Sequence, residues 1–216
     1  MILDRLQLWQ DPERRSGPEA MAVDEWLLET SEAPILRVYE WAGDWASLGY
    51  FGDFYEASRQ IPGVRWVRRR SGGGVVDHRR DWTYTLVVPI GWPMATLRGA
   101  ESYRQIHAAL AEALRAEGIA TELGNGETET GAALCFENPV CHDLVAADGR
   151  KLAGAGQRRT KFGLLHQGSV ALPGNASRAE ALASVIAEKW QAIDLQPPVD
   201  LIRNKAVSRF PEIVVV

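Results

Sequence analysis

The residues with the clearest chemical potential form one run, in which three arginines are followed by three glycines. The run, RRRSGGGVVDH, occupies residues 68–78 and ends at His78. Because glycine has no Cβ, such a loop can turn sharply and let its backbone approach a ligand closely. Its free N–H groups can bind an anion, and neighbouring guanidinium groups add paired donors for phosphate or carboxylate. The alternative is an ordinary glycine-rich turn with solvated arginines, and the local pattern supports both interpretations equally.

A second candidate is a lysine that follows a tight-turn signal. Lys151 comes shortly after Asp148-Gly149 and just before the small residues Gly154, Ala155 and Gly156. Such an ammonium, facing a ligand that lies on bare backbone, would stabilise developing negative charge. Lysines in hairpins are nevertheless usually exposed, so the local pattern alone favours the surface. Neither glycine run has the spacing of a P-loop or of a dinucleotide-binding fingerprint.

The third candidate is a cysteine in a polar segment. Cys135 can act as an acyl acceptor if a nearby cation favours its thiolate. The commoner role of a cysteine is that of a small buried apolar residue, and the pattern leaves this open. Cys141 and His142 are adjacent, and two neighbouring ligands without further partners make a poor zinc site, so we predict no metal. His78 and His166 lie far apart, and no Ser-His-Asp order is predicted.

Composition narrows the class of protein. The chain has 216 residues, 46% of them hydrophobic, a net charge of -4 and two cysteines. This size suits one domain with a substantial core. The negative charge argues against a nucleic-acid-binding protein, and the two cysteines provide no disulfide framework. The N-terminus lacks a signal-peptide pattern and no stretch is long enough to span a membrane, so we expect a soluble cytoplasmic protein.

Three segments have helical periodicity. The first begins near Ser16 and Pro18, which are typical of a helix start, and the second runs from about residue 101 to Gly118. The third opens with Ser177 and Glu180, spaced as a capping box, and its apolar repeat continues to Trp190.

Strand-like segments, rich in β-branched and aromatic residues, lie between the helices, at 36–41, 64–69, 82–88, 143–147 and 163–172. Asp148-Gly149 predicts a hairpin turn between the last two. Strands and helices do not alternate strictly, so we expect an α+β fold, a mixed β-sheet with helices packed on it. The proline-containing tail from residue 196 predicts an irregular C-terminal wrap, with an edge strand at residues 213–216.

Taken in order, these segments resemble the biotin/lipoate protein ligase superfamily, specifically its lipoate-protein ligases and cysteine-dependent octanoyltransferases. Residues 19–25 resemble the family's first helix, and Tyr39-Glu40-Trp41 with residues 46–50 its following hairpin. The most diagnostic match is the loop Arg69, Arg70, Ser71, Gly72, Gly73, Gly74 through His78, followed by residues 82–85. Residues 149–159 resemble the family's lysine motif, and Leu165-His166-Gln167-Gly168-Ser169 the strand after it. The sequence departs from the pattern at Gly52, where glutamine is expected, and at Gly156, where alanine is usual.

The resemblance implies a fold and a set of roles. It implies a class II biotin/lipoyl synthetase-like catalytic domain over residues 1–195, with residues 196–216 packed on it as an extension. It implies that Lys151 holds the acyl carbonyl and that Cys135 carries the acyl group as an enzyme thioester. The loop and His78 would line the substrate pocket, Gly154, Ala155 and Gly156 would leave room for the acyl chain, and His166 would also contact substrate.

Two chemistries are implied, and the residues leave both open. In the transferase, an octanoyl or lipoyl group passes from an acyl carrier protein through Cys135 to the lysine of a lipoyl carrier domain, of the E2 or glycine-cleavage H type, without a cofactor. In the ligase, ATP and Mg activate free lipoate or octanoate, and the accessory domain is absent or supplied by another chain. A non-catalytic lipoyl-domain-binding relative is a third hypothesis, and biotin attachment is a weaker one. None involves nucleic acid or a membrane.

Overall fold

The computed structural model describes residues 1–126, 135–138 and 140–214. The strands are β1 Leu3–Gln10, β2 Ile35–Tyr39, β3 Trp45–Leu48, β4 Arg65–Arg68, β5 Val75–Asp77, β6 Trp82–Pro89, β7 Glu122–Leu123, β8 Leu144–Val145, β9 Lys151–Thr160, β10 Gly163–Val170, β11 Ala187–Ala192 and β12 Glu212–Ile213. The helices are α1 Gly17–Thr30, α2 Phe54–Gln60, α3 Pro93–Thr96, α4 Gly99–Ala116, α5 Ala176–Ile186 and α6 Val199–Arg209. Cys135–Glu137 form a short 3₁₀ helix.

The strands form two sheets. The larger one has eight strands in the order β11-β1-β2-β6-β10-β9-β8-β7, and the smaller one has four in the order β12-β4-β3-β5. In the larger sheet β1 pairs in parallel with β11 and β2, whereas β6, β10 and β9 pair antiparallel. The predicted mixed sheet with packed helices is therefore confirmed. The smaller sheet is an addition that the strand patterns did not reveal.

Helices cover both faces of the large sheet, and side-chain alternation explains why. Successive residues of a strand point to opposite faces. Leu86 of β6 accordingly lies in the apolar cluster formed with α4 and α5, whereas its neighbour Val87 lies in the cluster formed with α1 and α6. β6 is buried along its whole length, as expected for a strand that is covered on both faces, although it includes Thr83 and Thr85. No helix in the described part of the chain combines the length and apolar character that a membrane span requires.

The first helix begins where predicted, and the second ends where predicted. The Ser16 side chain accepts a hydrogen bond from the Glu19 N–H, and the Glu19 carboxylate accepts one from the Ser16 N–H, which is a complete capping box. Gly118 follows α4 with φ of +80°, a left-handed conformation that favours glycine. The predicted hairpin between residues 39–41 and 46–50 is wrong, because β2 belongs to the large sheet and β3 to the small one.

The third predicted helix is shorter than its periodicity suggests. Asn175, not Ser177, caps α5, because the Asn175 side chain accepts a hydrogen bond from the Ser177 N–H. The predicted capping box is therefore wrong. Trp190 lies in β11, which pairs in parallel with β1, and not in the helix. Pairing at the sheet edge satisfies the backbone of residues 187–192 and overrides the apolar repeat.

The C-terminal segment is more regular than predicted. Instead of an irregular wrap, residues 199–209 form α6, which buries Ile202, Ala206 and Phe210 in the cluster on α1. Prolines precede and follow the helix without interrupting it. Of the edge strand predicted at residues 213–216, Ile213 lies in β12, which pairs with β4, whereas Val214 is not in a strand and residues 215–216 lie outside the described residues. The division of the chain at residue 195 stays a prediction.

A buried charge network joins α1 to the sheet. The Arg37 guanidinium, fully buried, lies 2.7 Å from the Asp24 carboxylate and 2.8 Å from that of Asp11. Burial acts to lower the pKa of Arg37, but Asp24, Tyr39 and Asp11 outweigh it and hold that pKa above its ordinary value. Asp24 also accepts a hydrogen bond from Gln167 at 2.7 Å. The network therefore fixes the middle of β10 against α1.

Replacing Asp24→Asn should destabilise the protein, because it leaves a buried guanidinium with too little negative charge around it. Breaking a buried pair in this way typically costs about 3–5 kcal/mol. The control is Asp200→Asn, since the Asp200 side chain is 95% exposed and its ion pair with Arg203 is long at 4.0 Å. This control should change stability by less than about 0.5 kcal/mol. Urea unfolding of both variants measures the difference, and equal stabilities would contradict the assigned role of Asp24.

Candidate active site

Lys151 is a buried residue, contrary to the surface position that its local pattern favours. The turn before it is the predicted hairpin, in which Gly149 has φ of +80°. Lys151 then opens β9 and points inward, with 3% of its surface exposed. Its ammonium lies 2.6 Å from the Asp143 carboxylate, and donates to the Cys135 Sγ at 3.2 Å and to the Asn138 carbonyl at 3.3 Å. The two predicted catalytic side chains are therefore in direct contact.

Asp143 holds the lysine in this position, and sequence reasoning missed it. Its side chain is fully buried and accepts hydrogen bonds from the Val140 N–H, at 2.8 Å, and from the Tyr103 hydroxyl. Burial, reinforced by the Asp143 charge, holds the pKa of Tyr103 well above its usual value, so this hydroxyl remains a donor. A carboxylate just before the apolar pair Leu144-Val145 was the available signal, because a charged residue entering a buried strand needs a partner.

The small residues of β9 make room chiefly for the protein's own atoms. A Cβ on Gly154 would lie 2.7 Å from Lys151 Cε and 2.8 Å from Nζ, so a side chain there would displace the ammonium. A Cβ on Gly156 would lie 2.4 Å from the Gly72 carbonyl oxygen. The glycine loop therefore packs directly on β9. That Gly154, Ala155 and Gly156 also leave room for an acyl chain stays a prediction, and all three residues line the adjoining slot.

The loop arginines stabilise the loop itself. Arg69 donates to the carbonyls of Ser47, Gly72 and Gly74, and its pKa is lowered by burial. Arg68 donates to the carbonyls of residues 49, 50 and 52. Both guanidinium groups are thus hydrogen-bonded to the backbone. They are neither solvated, as in an ordinary turn, nor directed at an anion. Gly73 has φ of +91°, which only glycine adopts readily.

A narrow slot lies between the two sheets, beside the Lys151–Cys135 contact. Its volume is about 20 Å³, room for about one water molecule, so a longer ligand would have to displace side chains of the wall. Aromatic and apolar side chains form part of the wall, and Arg69, His78 and Cys135 add polar atoms; the apolar residues include Met21, Tyr39, Trp41 and Val76. A slot of this character suits a ligand with a hydrocarbon chain and one reactive polar end.

The remaining predicted residues lie around the slot in different ways. Ser71 donates to the Gln167 side chain, which lines the slot, at 2.6 Å. Arg70 lies toward α6, 3.7 Å from Glu25 and over the Phe210 ring. His166 is fully buried behind the slot, where its ring contacts the Tyr84 hydroxyl and the Gln157 amide. Contact of Arg70 or His166 with substrate stays a prediction.

Ser47, His78 and Asp81 form a hydrogen-bonded series that the sequence did not indicate. The Ser47 hydroxyl lies 2.7 Å from His78 Nε2, and His78 Nδ1 lies 2.8 Å from Asp81 Oδ2. Ser47 and His78 both line the slot. The spacing of three residues between His78 and Asp81 was the only local signal, since Ser47 comes from a different strand. Among the described residues, no group of three or more histidine, cysteine or acidic side chains is placed to hold a metal ion.

Comparison with known proteins identifies the family. Residues 16–204 match the family described as the lipoyl protein ligase A/B catalytic domain. The chain belongs to this family. The match runs from the cap of α1 into α6 and includes Cys135, Lys151 and the glycine loop.

Several curated relatives of this lipoyl protein ligase A/B domain carry the name octanoyltransferase LipM. The protein from Carboxydothermus hydrogenoformans is 38% identical over 168 residues, which cover 73% of this chain and 61% of the relative. The protein from Kyrpidia tusciae is 31% identical, with 96% of this chain and 77% of the relative covered. The chain thus spans about three fifths of the first relative's length.

Solved structures share the fold at lower identity. A bi-partite lipoate protein ligase from Thermoplasma acidophilum aligns with a TM-score of 0.55 at 19% identity, covering 96% of this chain and 82% of that one. A lipoate-protein ligase A bound with ATP aligns with a TM-score of 0.56 at 22% identity, covering 96% and 83%. The expected class II biotin/lipoyl synthetase-like fold is therefore confirmed for this lipoyl protein ligase A/B domain.

The buried histidines behind the slot should make stability fall in mild acid. Burial lowers the pKa of His107 from its ordinary 6.5 to about 4, and lowers that of His166 as well. Below pH 6.5 the His107 ring is protonated in the unfolded chain, whereas in the folded chain it stays neutral until about pH 4. The free energy of unfolding therefore has its full value above pH 6.5 and decreases as the pH falls from 6.5 to about 4. The contribution that His107 loses over this range is on the order of 3 kcal/mol.

Replacing His107→Asn should flatten this dependence, because asparagine keeps a donor for the His142 carbonyl but has no titrating ring. Urea unfolding across the same pH range measures the slope. His142→Asn is the matched control, since His142 has φ of +71°, which asparagine tolerates. An unchanged slope in His107→Asn would contradict the assignment.

Proposed function

We propose that this protein transfers an octanoyl group from an acyl carrier protein to the acceptor lysine of a lipoyl carrier domain, through a thioester on Cys135. The observation that carries the proposal is the 3.2 Å contact between the Lys151 ammonium and the Cys135 sulfur. The name octanoyltransferase LipM of the curated relatives supports it. The acceptor would be a lipoyl domain of the E2 or glycine-cleavage H type, and a cytoplasmic location stays a prediction.

The first half of the reaction forms the acyl-enzyme. The Cys135 thiolate attacks the carbonyl carbon of the carrier thioester, and negative charge develops on the carbonyl oxygen. The Lys151 ammonium, fixed by Asp143, stabilises that charge without having to reorient. The carrier thiolate then leaves, and Lys151 can give it a proton. The product is an octanoyl thioester on Cys135.

The apolar lining of the slot would retain the acyl chain between the two halves, once its side chains move apart to admit the chain. Each methylene buried against the apolar wall contributes about 0.8 kcal/mol. The chain would extend along Met21, Tyr39, Trp41 and Val76, with its carbonyl at the Cys135 end. In the second half, the acceptor lysine attacks the thioester and releases the Cys135 thiolate.

The arginines favour this reaction over ATP-dependent ligation. Arg69 directs both of its Nη groups at backbone carbonyls, and Arg68 directs Nη1 at three more, so the donors they can offer a phosphate in this arrangement are reduced. A donor that arrives as a thioester is already activated, and the transferase therefore needs no cofactor. A ligase would use ATP and Mg to activate free lipoate, would release pyrophosphate, and would not need the Cys135 thiol.

Incubation with octanoyl carrier protein should give one octanoyl adduct on Cys135, detectable by mass spectrometry. Cys135→Ala should abolish the adduct and all transfer, because the nucleophile is gone. Cys141→Ala is the matched control, since Cys141 is exposed, and it should form the adduct normally. An adduct that persists in Cys135→Ala, or lipoate-dependent pyrophosphate release without any adduct, would overturn the proposal.

Gly154→Ala should slow acyl-enzyme formation while leaving the fold intact. The added methyl group meets the flexible end of Lys151, which moves and withdraws its charge from the reacting carbonyl. Loss of one such donor typically reduces the rate by about 10²–10³-fold. Gly99→Ala is the control, because its nearest neighbour, Arg159, would be 3.8 Å away. Single-turnover acylation kinetics measure both, and a normal rate in Gly154→Ala would refute the role of the lysine's position.

A further inference from the structure

A directed chain of hydrogen bonds enters the slot on the side of the small sheet. Arg69 donates to the Ser47 hydroxyl at 3.0 Å, Ser47 lies 2.7 Å from His78 Nε2, and His78 Nδ1 lies 2.8 Å from Asp81. All four side chains are buried or nearly so, and the His78 ring stacks on Trp41 with centroids 4.0 Å apart. The reaction described so far uses none of these groups as a proton acceptor.

The direction of each proton follows from the partners. A guanidinium can only donate, so the Ser47 oxygen accepts from Arg69, and its single proton points to His78 Nε2. Asp81 accepts at the same oxygen from Thr83, at 3.0 Å, and from Ser169, so His78 Nδ1–H donates to it. His78 Nε2 therefore has a lone pair, and the Ser47 hydroxyl is already aligned to pass a proton to it.

Transfer to an amine needs more proton acceptors than Lys151 can supply. The acceptor lysine enters as an ammonium and leaves as an amide, so its nitrogen loses two protons. The Lys151 nitrogen donates three hydrogen bonds and has no free lone pair. It can take back one proton, after giving one to the leaving carrier thiolate. The second proton requires another base within reach of the slot.

His78 has the right position for this role, because it borders two spaces. It lines the slot together with Cys135, and it also lines an open groove with Arg79, Arg80 and Asp81. The 3₁₀ helix that carries Cys135 packs against β5, the strand that leads directly into His78. A proton taken from the slot side can thus be released to solvent on the groove side.

We propose, on the basis of the function proposed above, that His78 accepts the second proton of the acceptor amine through the Ser47 hydroxyl. The acceptor nitrogen forms its bond to the thioester carbon and gives a proton to Ser47 Oγ, while the proton of Ser47 moves to His78 Nε2. The carbon–sulfur bond then breaks, and the electron pair returns to the Cys135 thiolate. Asp81 stabilises the imidazolium, which afterwards loses its proton to solvent. Atoms and charge balance, with one net proton released in each cycle.

The test separates the two halves of the reaction in single-turnover experiments. In His78→Gln, octanoylation of Cys135 from the carrier should stay within about tenfold of the wild-type rate, whereas transfer to a lipoyl domain should fall about 10²–10⁴-fold. Hydroxylamine, an uncharged nucleophile that needs no prior deprotonation, should remove the octanoyl group from wild type and variant at similar rates. In His78→Ala, added imidazole should restore part of the transfer.

Each other outcome counts against a stated part of the account. If wild-type Cys135 does not become octanoylated, the proposed function fails. If octanoylation proceeds and His78→Gln transfers at the wild-type rate, the inference fails while the function stands. If the variant loses hydroxylamine release together with transfer and imidazole restores nothing, His78 only positions the slot and the inference is overturned. An octanoyl group found on Ser47 in Cys135→Ala would make the serine a nucleophile and also overturn it.

A second variant guards against poor folding of His78→Gln. Ser47→Ala removes the hydroxyl that links the slot to the ring but leaves His78 and Asp81 in place. It should show the same separation, with octanoylation retained and transfer reduced. Retained transfer in Ser47→Ala would overturn the relay.

Discussion

The arrangement of the site depends on one buried ion pair, between Lys151 and Asp143. Withdrawing two charges from water costs several kcal/mol for each ion, and their attraction offsets this only with good geometry and further hydrogen bonds. Those bonds come from the Val140 N–H and the Tyr103 hydroxyl, and the pair is 2.6 Å apart. The hydrogen bonds that stabilise the buried pair also fix the Lys151 ammonium beside Cys135. Stability and reactivity therefore depend on the same contacts.

The glycine loop between β4 and β5 of the small sheet packs on β9 of the large sheet, and glycines permit the approach. Gly154 leaves space for the lysine, and Gly156 lets the glycine loop rest on β9. A second polar connection holds the other side of the slot, since Ser71 bonds to Gln167 and Gln167 bonds to Asp24. The buried Arg37 network therefore reaches the loop that walls the slot. Single hydrogen bonds therefore link the buried network on α1 to the glycine loop, and they hold segments that are distant in sequence around one pocket.

Features that depend on local chemistry could be predicted from the sequence. The start of α1 at Ser16, the end of α4 at Gly118 and the hairpin before Lys151 all follow from a few neighbouring residues. Features decided by distant partners could not. Asp143 buries Lys151 although a hairpin lysine is usually exposed, and β1 draws Trp190 into a strand although its spacing is helical. The order of motifs gave the family, whereas the series of hydrogen bonds through Ser47 required coordinates.

The central claim, that the Lys151 amine and the Cys135 thiol are in direct contact beside the slot, can be tested by direct chemical bridging. An aromatic ortho-dialdehyde joins an amine and a thiol into a fluorescent isoindole only when the two groups are a few ångströms apart. In a Cys141→Ala background, peptide mapping should find the bridge between Lys151 and Cys135, which are 3.2 Å apart. Prior octanoylation should block it. Isoindole that joins other residues, or none while Cys135 still reacts with an alkylating agent, would contradict the account.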